Sequence, residues 1–256
     1  MAKHTIGKLP LVEVWQATVL RLSVFPSQSA EINDADWWSD LVGRDPDSKS
    51  EQPRRGTKQV MGAFESGRLN LNISPGKIDW IFEAVFDVNS EEKGPPYLGA
   101  FSDVKGIFLK LMHNWLKFET TPEIHRLAFG AKLLIPVDSY QQGNEIMDIY
   151  LPAVEVDTAN STDLSYQINR PRVYSGEISN LIINRLAKWS VLRWLITIGE
   201  KEVLSSQVGS GFVCELELDI NTADEFQGAL PQEKLVDLFT ELLRQGVEIA
   251  SEGDIK

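Results

Sequence analysis

Between Phe212 and Ala250 the sequence carries its strongest structural constraint. Phe212, Cys214, Leu216, Leu218 and Ile220 alternate with Val213, Glu215, Glu217 and Asp219, the period-two pattern of a strand with one buried face. After a connector over 222–228, Pro231 opens a helix, where its missing N–H has no partner to lose. Leu235, Leu238, Phe239, Leu242 and Ile249 recur near the 3.6-residue period and form one apolar stripe. A half-buried strand followed by a helix that can lie on it defines an α+β chain. It specifies no chemistry.

The same two patterns account for most of the remaining sequence. Residues 12–25 read as a strand that Pro26 ends. Residues 34–42 read as a short helix capped by Asn33 or Asp34, with Trp37, Trp38, Leu41 and Val42 on its apolar side. Residues 43–56 read as a polar loop. Residues 68–74 and 77–86 form a hairpin about the turn pair Pro75-Gly76. Ser102 caps a helix running to about Glu119, which Pro122 stops. The second half opens with a strand over 124–137 and a short helix over 143–151. Leu164, Tyr166 and Ile168 form a strand broken at Arg170-Pro171-Arg172, and 180–198 reads as two strands joined near Ala187-Lys188. The expected architecture is an antiparallel sheet with helices packed on one face. Its halves, 1–121 and 122–256, share one continuous core or sheet. Their common order suggests a duplicated β-α-β-β-α unit, a match of pattern and not of residue identity.

Charge and cysteine usage narrow the function classes. The 25 basic and 37 acidic residues leave a formal net charge of −12. That field repels phosphate backbones and disfavours a general nucleic-acid binder, while a local basic patch stays open. Cys214 is the single cysteine, so no internal disulfide forms. The apolar run over 9–25 is interrupted by Glu13 and Arg21, and no run of about 20 apolar residues exists to span a membrane. With no signal-peptide pattern, the expected compartment is the cytoplasm.

Reactive constellations are scarce. Gly209-Ser210-Gly211 leads into a strand and not a helix, so it fails as a phosphate loop. His4, His113 and His125 have no second His or Cys at ligand spacing, and neither a metal nor a cofactor is expected. Glu215, Glu217 and Asp219 along one strand face could take a hard cation; a solvated strand face explains them equally. Cys214 falls on the apolar side of its strand, where a thiol stays inert. For a dispersed site, His113 or His125 would supply the acid–base group. The reading leans away from an enzyme without deciding the matter.

Two candidate surfaces remain. Arg170, Arg172, Arg185, Lys188, Arg193 and Lys201 face only Glu177 and Glu200, with Tyr166, Tyr174, Trp189 and Trp194 interleaved. Arginines beside aromatics on a sheet suit single-stranded nucleic acid or phosphate. Alternatively, these cations pair with the acidic segment from Glu215 to Asp254. Trp37 and Trp38, adjacent on a short helix and about 100° apart, are the candidate protein-partner surface.

The segments Leu9-Pro10-Leu11-Val12-Glu13-Val14, Arg126-Leu127-Ala128-Phe129-Gly130 and Leu216-Glu217-Leu218-Asp219-Ile220-Asn221-Thr222, with the closing helix, resemble a sporadically distributed, uncharacterised bacterial protein family of about this length. That resemblance transfers no site residue. Its patchy distribution implies a setting of phage defence or mobile elements. The leading expectation is a non-enzymatic interaction subunit (accessory, sensor or adaptor) with a protein partner, homo-oligomerisation being left open. The alternative is a nucleic-acid-binding or RNA-processing protein using the 168–201 segment.

Overall fold

A computed structural model describes residues 14–27, 36–86, 94–198, 206–226 and 228–254. His4, the expected strand start at Val12, the caps Asn33 and Asp34, and the cation Lys201 lie outside these residues. The first half contributes β1 (Gln16–Pro26), α1 (Trp37–Val42), β2 (Ser48–Gln52), β3 (Thr57–Phe64), β4 (Gly67–Ser74), β5 (Lys77–Glu83), β6 (Gly99–Ala100) and α2 (Phe101–Leu116). The second contributes β7 (Ile124–Val137), α3 (Tyr140–Tyr150), β8 (Ser165–Asn169), β9 (Arg172–Val173), β10 (Ile182–Ile198), β11 (Ser206–Thr222) and α4 (Leu235–Glu252).

The strands form a single sheet in the order β2-β3-β4-β5-β1-β7-β11-β10-β8, with β6 beside β1 and β9 beside β10. The two halves meet where β1 pairs antiparallel with β7. Register places Leu71, Trp80, Leu22, Phe129, Ile220 and Arg185 in one row across six strands. Neighbours in such a row share a face. On this face Trp80 meets Trp115 of α2 and Trp38 of α1, at ring separations of 5.9 and 6.2 Å. Phe129 meets Phe239 of α4 at 6.1 Å. Gly143 of α3 packs on Val191 and Cys214, which belong to the same face. All four helices therefore cover one side of the sheet, and the α+β architecture of an antiparallel sheet with helices stands.

Several local expectations need correction. The polar loop expected over 43–56 contains edge strand β2. All five β2 residues are exposed, so no buried face marks the strand in the sequence. The turn expected at Ala187-Lys188 is absent: β10 runs unbroken for 17 residues, with Ala187 opposite Leu218 and Lys188 opposite Glu217. Ser102 does not cap α2. The N-cap is Ala100, without a side-chain bond, and the Phe101 N–H donates to the Trp15 carbonyl at 2.8 Å.

The first and last described segments are tied together. The Trp15 indole N–H reaches the Ala250 carbonyl at 2.9 Å and the Tyr150 hydroxyl at 3.1 Å. Burial pushes that hydroxyl up to about 12. The Asp254 N–H donates to the Tyr150 carbonyl at 2.8 Å, and Gly253 makes the turn with φ of 78° and ψ of −157°. A Cβ at Gly253 would lie 2.4 Å from the Tyr150 carbonyl oxygen. Gly253→Ala is therefore expected to lower stability by about 1–3 kcal/mol, read as a shifted midpoint in urea denaturation.

Candidate functional site

With the helices on one side, the other side of the sheet has to be polar. Alternation puts Val19 and Arg21 of β1, Gly130 and Lys132 of β7, Glu217 and Asp219 of β11 and Lys188 of β10 on that side. These residues, with Leu186 and Gln167, line a groove of about 450 Å³ near the centre of the sheet.

At its floor lies Arg21, whose Nε finds no acceptor among the described residues. Arg21 sits opposite Gly130, and its guanidinium lies against that glycine: a Cβ there would be 3.1 Å from both Nε and Nη2. A side chain there would press on the guanidinium and make it give by a few tenths of an ångström. Arg21 Nε is buried with no acceptor. A buried donor left unmade costs about 1–3 kcal/mol, so it calls for an explanation.

Beside Arg21 the charges are interlocked. Lys132 Nζ lies 2.8 Å from Glu215 and 3.8 Å from Glu217, and Lys188 Nζ lies 3.6 Å from Glu217. Burial pushes the Glu215 carboxyl up, and neighbouring Glu217 adds to this; Lys132 opposes it incompletely. Asp219 accepts from the Asn221 side-chain amide at 3.1 Å. Among the described residues, no group of three His, Cys, Asp or Glu is placed to hold a metal ion. The arrangement offers a flat guanidinium donor, two lysines and three carboxyl groups on one open surface.

The basic segment singled out in the sequence is divided between the two faces. Arg170 holds Asp254 through Nε, and through Nη2 at 2.8 Å. Arg172 and Arg185 converge on Glu248 of α4 at 2.5 and 2.9 Å. Arg185 is fully buried; burial and the nearby Arg172 hold its guanidinium below its ordinary range. Burial alone would raise the Glu248 carboxyl, but Arg172, Arg185 and Arg244 outweigh it and leave it lowered. Lys188 is the member of the set that enters the groove. Arg193 is exposed, with no ion pair among the described residues. Four of the five cations thus hold acids of the final segment, the pairing named as the alternative.

Trp37 and Trp38, the candidate partner surface, are buried. They are 1% and 3% exposed. The Trp37 indole donates to Thr120 Oγ1 at 2.7 Å and meets the edge of Trp115 at 5.3 Å. Trp38 stacks on Trp80 and fills the space above Gly62 of β3. Rings 100° apart can both be buried because α1 is wedged between α2 and the sheet. Of the acid–base candidates, the His113 ring bonds Thr240 Oγ1 at 2.9 Å; burial and then Lys117 lower it, against Asp237. The His125 ring bonds the Pro26 carbonyl at 3.1 Å. Burial pushes the Cys214 thiol up to about 12, as its place on the apolar face implies. In sequence, Arg21 reads only as a charge interrupting an apolar run, and its relation to Gly130 emerges from register alone.

Comparison with family models, with curated proteins and with solved structures finds no match in any of the three.

Two outcomes follow from these charges. Glu248→Gln should destabilise the protein by about 2 kcal/mol near neutral pH, because it leaves the buried Arg185 without a charged acceptor. Glu248 is lowered in the fold, so its contribution is present above its unfolded value and is lost as pH falls through the lowered one. The gap between wild type and variant should therefore narrow in acid, as read by urea denaturation across pH. Glu215 is raised, so folding favours its protonated form. Glu215→Gln should raise the melting temperature at neutral pH, and this advantage should vanish in acid, where wild type takes up the proton.

Proposed function

We propose that this chain is a protein-interaction subunit, an accessory or adaptor component that docks a partner protein on the helix-free face of its sheet. The observation carrying this reading is the central groove, where Arg21 Nε has no acceptor among the described residues and cations and carboxylates alternate. Mixed charge complements another folded protein better than it complements a uniformly anionic strand. The net charge of −12 points the same way. The nucleic-acid alternative draws on Arg170, Arg172, Arg185, Lys188 and Arg193, of which all but Arg193 would have to surrender a carboxylate. The common order of elements in the two halves supports a duplicated unit, with β1 and β7 as its equivalent first strands. The bacterial defence or mobile-element setting implied by the family resemblance is where a partner should be sought.

The test is capture of partners from the native host by the full chain, identification by mass spectrometry and reconstitution with purified protein. Val19→Lys and Leu186→Glu, both on the open face, should reduce partner retention at least about tenfold while circular dichroism and melting temperature stay near wild type. Retention unchanged by both variants would overturn the docking face. RNA or single-stranded DNA binding that falls steeply with salt, and that Arg170→Ala and Arg172→Ala weaken, would favour the alternative.

A further inference from the structure

Resting on the docking reading above, we infer that Arg21 is a receptor for a carboxylate, presented by the partner as an aspartate or glutamate side chain or as a chain terminus. Three observations lead there. Arg21 lines an open groove large enough for a side chain, and its guanidinium is flattened onto Gly130. Its Nε is buried without an acceptor, and no carboxylate among the described residues forms an ion pair with it. Arg185 Nε is likewise buried without an acceptor, but Arg185 and the part-buried Arg68, Arg126, Arg170 and Arg172 each hold a side-chain oxygen, which Arg21 does not among the described residues. A half-buried guanidinium held in one plane is a fork ready for a planar acceptor.

The neighbours select the kind of anion. Glu217 and Asp219 share the groove with Lys132 and Lys188. These carboxylates penalise a dianion such as phosphate more than a singly charged carboxylate. They also offer acceptors for the N–H groups that flank a carboxylate on a peptide. Gly130 has a positioning role: a Cβ there would lie 3.1 Å from Nε and Nη2 and push the guanidinium outward from the strand by a few tenths of an ångström.

The test reads the arginine directly, with no partner present. Full-length protein labelled with nitrogen-15 is titrated with acetyl-glutamic acid α-amide, with acetyl-glycyl-glycine, with inorganic phosphate and with chloride at matched ionic strength. The reporters are the Arg21 Nε–H and the backbone N–H of Gly130. Both should shift saturably with at least one carboxylate, with a Kd on the order of millimolar, as suits one ion pair. Phosphate should bind at least about fivefold more weakly, and chloride should produce no saturation. The responding carboxylate distinguishes a side chain from a chain terminus. Arg21→Lys keeps the charge and loses the fork, and should abolish the Gly130 response. Gly130→Ala should weaken binding about tenfold. Any of three results overturns the inference: no saturable shift in wild type, a Gly130 response that survives Arg21→Lys, or phosphate binding more tightly than carboxylate. Should either variant misfold, the wild-type titration still decides. An unresponsive Arg21 alongside a retained partner removes this inference alone, whereas a responsive Arg21 without any partner removes only the docking reading.

Discussion

The antiparallel pairing of β1 with β7 is the joint on which the molecule depends. It runs from Gln16 opposite Leu134 to Pro26 opposite Ile124, and it is where the two halves of the chain become one sheet. Without it, each half would expose a long inner edge of unpaired backbone groups. Packing crosses the same seam. Phe239 of the second half touches both Phe108 and Phe129, and Trp15 of the first half bonds the last turn of α4. The core is consequently continuous, and the ends of α3 and α4 are fixed relative to the start of β1.

Covering one face of so wide a sheet leaves the other to satisfy itself. Ion pairs do most of this: Arg68 with Glu83 and Lys132 with Glu215 and Glu217 across neighbouring strands, and Lys77 with Asp79 along β5. Hydrogen bonds add to them, such as the Ser23 hydroxyl to Asp79 at 2.5 Å and the Arg126 guanidinium to Asn221 at 2.9 Å. Against this background Arg21 stands out. It occupies the central strand, where neighbours are most numerous, and yet none of opposite charge among the described residues is in contact with it. The helix-side arginines behave differently: Arg185 enters the core because Glu248 is there to receive it.

What could be read in the chain followed burial. β7 keeps the limits expected of it, Ile124–Val137, because its apolar residues alternate over a long span. The hairpin of β4 and β5 and the stripe of α4 were legible for the same reason. β2 and β3 were not. β2 has no buried residue, and β3 buries only Val60 and Gly62, so neither shows a period. The false break in β10 came from Ala187-Lys188, a pair that resembles a turn, although one faces the core and the other the groove. The burial of both Trp37 and Trp38 was not legible, because a six-residue helix wedged between two layers can bury opposite sides at once. The groove was invisible for a different reason. Arg21 and Gly130 are brought together by pairing between strands far apart in sequence, and no local pattern encodes a long-range register.

The outer strands have a consequence for how this molecule behaves in a crowded solution. At one rim, β2 is short and presents Lys49 and Glu51, with Glu51 held 3.4 Å from Lys58. At the other, β8 runs straight into Arg170-Pro171-Arg172. Charge and proline at the margins of a broad ladder deny an incoming backbone the neutral, donor-complete template that fibril growth requires. The margins of so extensive a β-structure are thereby guarded against edge-to-edge pairing.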